Sequence, residues 1–381
     1  MKPGVYDNLS NSEYHGGPGI SKSGLDLIAR SPLHFKAKRD SANDNTPTPA
    51  QAIGTAFHAI TLEPHVFTSE YTLALRRQDV PDAIDERDVL VSMVQEINKG
   101  RLPKLPTSGS KEEMVARIRE AHGTSRVEVS VEGSAEPVEV GELKGADLKA
   151  ILVRMNESRP GLLTTTGNRH ELAQLLRDCG RPVTLWSDCM EEWMRNNGHR
   201  QVLDGDSWGQ VHAMRNAVMD HPAASRLLSA PGRAELSVYW NDPVTGVLCR
   251  CRPDFWRDDG IVVDLKSTED ASPEGFAKSI ANWRYDVQDP FYLDGINLMR
   301  EQAGRSDIAK AKAFVFIAVE KKFPHAVGVY VLDNESREHG RAKYRAALDT
   351  FAACESSGTF PGYGDKIQTI SLPAWQLAKA A

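Results

Sequence analysis

Five cysteines in 381 residues are too few, and odd in number, for a disulfide framework. Cys179, Cys189, Cys249, Cys251 and Cys354 show no paired spacing, so a disulfide-stapled secreted fold is excluded. Cys249 and Cys251 alternate along a strand and are expected to be small buried hydrophobes. No apolar run approaches the ~20 residues that span a bilayer. The start, Met1-Lys2-Pro3-Gly4, lacks the apolar stretch of a secretory signal. A cytoplasmic protein with no membrane partner is expected. A basic excess is missing too: 46 Lys and Arg stand against 52 Asp and Glu, a formal net charge of −6. A nucleic-acid-coating protein is disfavoured, but one confined basic groove remains open. Lys278, Arg284, Lys310, Lys312, Lys321 and Lys322 are its candidates.

What the chain has is concentrated in residues 253–266. Pro253-Asp254 ends one run and Asp264-Leu265-Lys266 ends the next. Phe255 to Gly260 reads as a polar turn between them, and Ile261-Val262-Val263 as a short buried strand. Asp264 and Lys266, two apart on a strand, share one face, while Leu265 points into the core. Two close carboxylates repel, and a divalent cation removes that repulsion. A hard ion such as Mg²⁺ suits oxygen ligands. A lysine beside it can orient water or hold a phosphate oxygen. Asp-x-Lys at a strand end is more often a solvated surface pair, so other residues must carry the case.

They do so through a resemblance. Pro253-Asp254 followed by Asp264-Leu265-Lys266 resembles the signature of the PD-(D/E)XK nuclease superfamily. Gly54-Thr55-Ala56-Phe57-His58 resembles the glycine-x-x-x-histidine helix of its RecB-like branch. Glu235 is similar to the glutamate opening the first core strand there, and Gln288-Asp289-Pro290-Phe291-Tyr292 to the glutamine-x-x-x-tyrosine motif. The closer resemblance is to RecE-type (exonuclease VIII-like) phage and prophage exonucleases. It includes Tyr14-His15-Gly16-Gly17-Pro18-Gly19-Ile20-Ser21-Lys22-Ser23-Gly24-Leu25 and Pro361-Gly362-Tyr363-Gly364-Asp365, and covers about residues 1–70 and 205–375.

The resemblance implies a role for each residue. His58, Asp254, Asp264 and the backbone carbonyl of Leu265 would hold the metal, Mg²⁺ with Mn²⁺ as a substitute. Lys266 would position the attacking water or the scissile phosphate. Glu235 would bind a second metal or brace the site. Gln288 and Tyr292 would face the DNA strand or orient Lys266. Pro290 argues for a helix starting near Gln288, which favours Tyr292 for that task. Some RecB-like nucleases carry an iron–sulfur cluster ligated near the N-terminus. Here that place is Ser31-Pro32, so no cluster is expected.

Three parts are expected: residues 1–72, an N-terminal piece of the nuclease domain with the His58 helix; 73–200, an insertion; and 201–381, the nuclease core. Ser21 or Ser23 should cap an early helix, and residues 40–50 should form a polar loop. The core should be α/β, a mixed central sheet flanked by helices. Glu235–Trp240, Gly246–Arg252 and Ile261–Lys266 should form one antiparallel meander, and Arg337–Cys354 a packing helix. The mainly helical insertion carries two copies of a helix, an extended loop, a Thr/Gly turn and a second helix. Val89–Ile97 leads into Lys111, and Leu148–Met155 into Arg169; residues 124–142 read as a hairpin closed at Glu132-Gly133-Ser134. The copies resemble SAP-like DNA-binding modules, in which Lys111 and Arg169 would meet phosphate at helix N-termini. A purely structural insertion is the alternative.

The resemblance implies a Mg²⁺-dependent exonuclease that degrades linear double-stranded DNA 5′→3′ in a bacterial host cell. It would act at DNA ends, leave 3′ strands for a single-strand annealing protein, and form a homotetramer. Alternatives are a structure-specific endonuclease, a single-strand exonuclease with the same site, or a DNA-binding protein with a dormant nuclease fold.

Overall fold

Between Gly232 and Arg257 the chain runs as a long hairpin that changes sheets halfway. At its base Gly232–Ala234 pairs antiparallel with Phe255–Arg257, in a five-stranded sheet. Beyond, Ser237–Asn241 and Leu248–Cys251 pair with each other and with Gly4–Tyr6 in a separate three-stranded sheet. One side breaks at Glu235, whose φ of 53° is left-handed. The other breaks at Arg252-Pro253-Asp254, where proline has no N–H to give a ladder. The expected single meander is therefore two sheets. In this computed structural model, residues 1–7, 9–41, 48–130 and 136–372 are described.

The five strands run in the order Val327–Tyr330, Ala313–Glu320, Ile261–Thr268, Phe255–Arg257, Gly232–Ala234. Ile261–Thr268 is thus central and parallel to Ala313–Glu320, with Asp264 opposite Phe316. Both faces of a central strand are covered, which explains its apolar run. Val263 and Leu265 pack on Phe57 of the helix Pro49–Leu62 and on Met214 and Val218 of the helix Gly205–Asp220. Val262 packs the other way, with Phe314, Phe316, Val287 and Phe291. Phe255–Arg257 proves to be a strand, which leaves only Asp258-Asp259-Gly260 as the turn. Its pairing ends at Val263 opposite Phe255. From Asp264 onward the central strand therefore has a neighbour on one side alone.

Ser21 caps the helix Lys22–Arg30, and Thr48 and Gln51 form a capping box on Pro49–Leu62. Of the expected polar loop, residues 42–47 lie outside the described residues. The helix Tyr285–Gln302 starts earlier than expected, at left-handed Arg284, and contains Pro290 at its sixth position. It lies along the C-terminal helix Asn334–Ser357 through ion pairs as well as apolar contacts. Asp286 accepts from Lys343 at 2.7 Å, Asp289 from Arg337 at 2.9 Å, and Asp294 from Arg341 at 2.7 Å.

The chain divides into two units, Met1–Ala74 with Arg200–Ala381, and Leu75–His199. The second contains both expected copies: Arg87–Asn98 and Lys111–His122, then Gly145–Met155 and Arg169–Asp178. Their packing is exchanged. Leu90 and Val94 of the first copy pack on Leu172, Ala173 and Leu176 of the second. Conversely Met114, Val115 and Ile118 pack on Leu148, Ile151 and Leu152. Asparagines secure the exchange: Asn98 donates to and accepts from the Leu163 backbone at 2.9 and 2.7 Å, and Asn156 does the same with Leu105 at 2.8 Å each. Glu128–Val129 and Val138–Glu139 pair antiparallel. The expected closure at Glu132-Gly133-Ser134 lies outside the described residues.

Candidate active site

The change of sheets builds the site. Glu235 N–H donates to the Asp254 carbonyl at 3.2 Å, which fastens the two bends together. The Asp254 carboxylate turns towards the unpaired flank of the central strand and accepts the Leu265 N–H at 2.7 Å. It thereby satisfies a buried donor that a ladder would otherwise take. His58 Nδ1 lies 3.5 Å from the same Asp254 oxygen. His58, Glu235 and Asp254 each offer one ligand atom, all within 4.8 Å of one another.

Asp264 is held next to this group. It is 1% exposed, and its Oδ1 accepts from Gln288 Nε2 at 2.6 Å. Its Oδ2 forms an ion pair with Lys266 Nζ at 2.5 Å. Lys266 Nζ also stands 4.8 Å from the centre of the Tyr285 ring, a cation–π contact. Burial works to discharge Lys266, but Asp264, Asp254 and Tyr285 outweigh it and its pKa is raised. It stays an ammonium at neutral pH.

Both acids respond to burial. It pushes Asp264 up to about 6, opposed by Lys266 and reinforced by Asp254. It also pushes Glu235 up to about 8, reinforced by Asp254. An imidazole and two mutually repelling carboxylates with ligand atoms this close fit a divalent cation, which would replace the protons burial holds on the acids with its own charge. His58, Glu235 and Asp254 would hold it, with Asp264 at the margin.

This has a thermodynamic consequence for the metal-free protein. A carboxyl whose pKa is higher folded than unfolded favours the folded state in its protonated form. For Glu235 that advantage is complete below about 4.5 and is lost as pH rises through about 8. Tm without metal should therefore fall across that window, and Glu235→Gln should flatten the fall. Added Mg²⁺ should raise Tm more at the alkaline end than at the acid end. A calorimetric Tm indifferent to Mg²⁺ at both ends would remove the metal centre.

Of the expected residues, His58, Glu235, Asp254, Asp264, Leu265, Lys266 and Gln288 come together. Gln288 meets Asp264 and not Lys266, and is the better placed of its pair. Tyr292 packs into the core, where its ring lies 5.8 Å from Phe314. Lys111 and Arg169 lie in the other unit, at the first positions of their helices. The capping boxes of Ser110 with Glu113 and Asn168 with Glu171 already occupy those N-termini with carboxylates. Arg169 also donates to the Asp85 carbonyl at 3.2 Å. Four of the six basic groove candidates are kept apart by one strand. Lys310 and Lys312 precede Ala313 and Lys321 and Lys322 follow Glu320, at opposite ends of a strand about 25 Å long. Tyr285 and Lys22 were not foreseen. Lys22 Nζ stands 5.6 Å from the same Tyr285 ring centre, and only its place in the Ser21-Lys22-Ser23 run hinted at it.

Among the described residues no helix is long and apolar enough to cross a membrane. No curated protein matches the chain. A crystal structure of a candidate exonuclease from Eubacterium rectale is similar at 10% identity, over 57% of this chain and 82% of that one. Its TM-score of 0.34 is too low to carry an argument. Residues 183–373, half of the chain, match the family described as a PDDEXK-like domain of unknown function (DUF3799). That span contains Glu235, Asp254, Asp264, Lys266 and Gln288, and its α/β core agrees with the fold. The chain belongs to this PDDEXK-like family.

Proposed function

We propose that this protein is a metal-dependent exodeoxyribonuclease acting on ends of linear double-stranded DNA. The observation that carries the reading is the Lys266–Asp264 pair beside the His58, Glu235 and Asp254 group. Ligands for a cation thus border a charged lysine on one unpaired flank of a central strand. Bound Mg²⁺, with Mn²⁺ as a substitute, would supply Lewis acidity and lower the pKa of water. The chain's own residues then have defined tasks. Lys266 holds an oxygen of the scissile phosphate or the attacking water, with Tyr285 fixing its ammonium. Gln288 fixes the Asp264 carboxylate, and Asp254 ties the site to the Leu265 backbone. Glu235 would complete the ligand group as a carboxylate, giving up its proton when the cation binds.

The RecE-type resemblance supports 5′→3′ polarity, a homotetramer, and 3′ strands passed to a single-strand annealing protein in a bacterial cytoplasm. The test is digestion of a linear duplex labelled at one 5′ end, beside a closed circle, with Mg²⁺ and with EDTA. Early release of label from the linear DNA, with Mg²⁺ alone, is expected. Cutting of the circle would make the protein an endonuclease with the same site. Binding without cleavage of either would leave a dormant nuclease fold.

A further inference from the structure

The catalytic reading leaves two motifs unused, the early Ser21-Lys22-Ser23 helix and the Pro361-Gly362-Tyr363-Gly364 run. They meet. Leu33 N–H donates to the Pro361 carbonyl at 3.1 Å, and the Tyr363 hydroxyl lies 3.5 Å from Arg30 Nε. Beside this contact opens a cavity of about 470 Å³. Its wall carries cations from three separate elements: Arg30, Arg284 and Lys343, with Ser31 and Thr350 between them.

Carboxylates do not neutralise this wall. Asp26 accepts from Arg284 Nε at 2.8 Å and pairs with Lys22 at 2.8 Å, and Asp286 is taken by Lys343. Arg30, Arg284, Lys343 and Lys22 thus face two carboxylates, and no ion pair engages Arg30 among the described residues. Arg284 Nη2 is buried without a hydrogen-bond partner, as is Asp286 Oδ1. The helix N-terminus at Pro32 adds little, because Leu33 and His34 already donate to Pro361 and Ser31. Recognition falls to the side chains. Arg30, which has no carboxylate partner among the described residues, and the unpartnered Nη2 of Arg284 select a doubly or singly charged phosphate, with Lys343 beside them. The volume admits a nucleotide as well as a bare ion.

The cavity is joined to the active site. Arg284 precedes Tyr285, whose ring is shared by Lys266 and Lys22, and Lys22 donates to the Trp283 carbonyl at 2.7 Å. A line of cations therefore leads from Lys266 through Lys22 to Arg284, Arg30 and Lys343. Resting on the nuclease reading, we propose that this cavity binds another phosphate of the DNA strand that is cut at Lys266. The group is either a terminal phosphomonoester or an internal phosphodiester.

The test is equilibrium binding in EDTA, read by anisotropy, of blunt duplexes bearing either a 5′-phosphate or a 5′-hydroxyl. Arg30→Glu should weaken binding about tenfold near 0.1 M salt and lower the salt slope by about one. Lys343→Gln should act in the same direction. Loss confined to the phosphorylated duplex assigns the cavity to a strand end, and equal loss on both duplexes assigns it to an internal phosphate. Unchanged affinity and salt slope in both variants, folded with wild-type Tm, would overturn the proposal. The nuclease reading fails separately. A wild type that never cleaves, with binding still lost in Arg30→Glu, keeps the cavity and removes the catalysis; cleavage with unaltered binding in the variants does the reverse.

Discussion

Lys266→Ala is expected to lower the cleavage rate by about 10³-fold or more, the scale of losing a charge that meets the transition state. DNA binding should persist, because one ammonium is a small part of a phosphate-contact surface. The fold should persist as well. Removing one partner of a buried pair commonly costs about 3–5 kcal/mol. Here Asp264 can escape that cost by protonation, since its pKa already stands at about 6. Without Lys266 that pKa moves further up, so the variant should be most stable in mild acid. Lys266→Arg should rescue little: a planar fork cannot reproduce a compact ammonium lodged between Asp264 and the Tyr285 ring. Asp264→Asn should match the loss of activity while keeping the Gln288 contact. Initial rates on linear duplex, beside anisotropy in EDTA, decide the matter. More than about a tenth of wild-type rate in Lys266→Ala would take the lysine out of the chemistry.

The core of this site was legible because strand periodicity is rigid. Asp264 and Lys266 fall on one face whichever sheet holds them, and both meet where that rule places them. Periodicity does not say which sheet a strand joins. The left-handed turn at Glu235 and the proline at 253 moved half of the hairpin into a second sheet, and no local pattern announced it. That same break delivers Glu235 to His58 and Asp254, so the least legible step is the one that completes the ligand group. Pro290 misled for a different reason. Its missing N–H points to a helix start, yet tertiary packing keeps the helix intact for five residues before it. In the second unit the sequence is degenerate. Leu90 and Leu148, Asn98 and Asn156, Leu105 and Leu163, and Glu113 and Glu171 are equivalent, each pair 58 apart. A helix that fits its own copy also fits the other, and only loop geometry chooses the exchange.

Gly340→Ala is expected to be the most damaging single-methyl change in the larger unit. Pro290 cannot donate to the Asp286 carbonyl, and the C-terminal helix passes that carbonyl at Gly340. A Cβ there would fall on Asp286 O and C, closer than atoms can approach. Both atoms are backbone, so no side chain can rotate away; one helix must move. The ion pairs of Asp286, Asp289 and Asp294 with Lys343, Arg337 and Arg341 resist that movement on either side of the contact. A cost of about 3 kcal/mol or more follows, on the order of 10 °C in Tm. The loss should reach catalysis, because Gln288 rides on the displaced helix and fixes Asp264 at 2.6 Å. A shift of about 1 Å in such a contact can cost on the order of 10²-fold in rate. Gly209→Ala supplies the contrast. Gly209 also lies in a helix, Gly205–Asp220, but nothing stands within 4 Å of its added Cβ. There alanine should stabilise by up to about 1 kcal/mol through helix propensity. Paired thermal melts and rates measure both variants. Equal Tm for the two would mean that the helices do not meet at Gly340 as described.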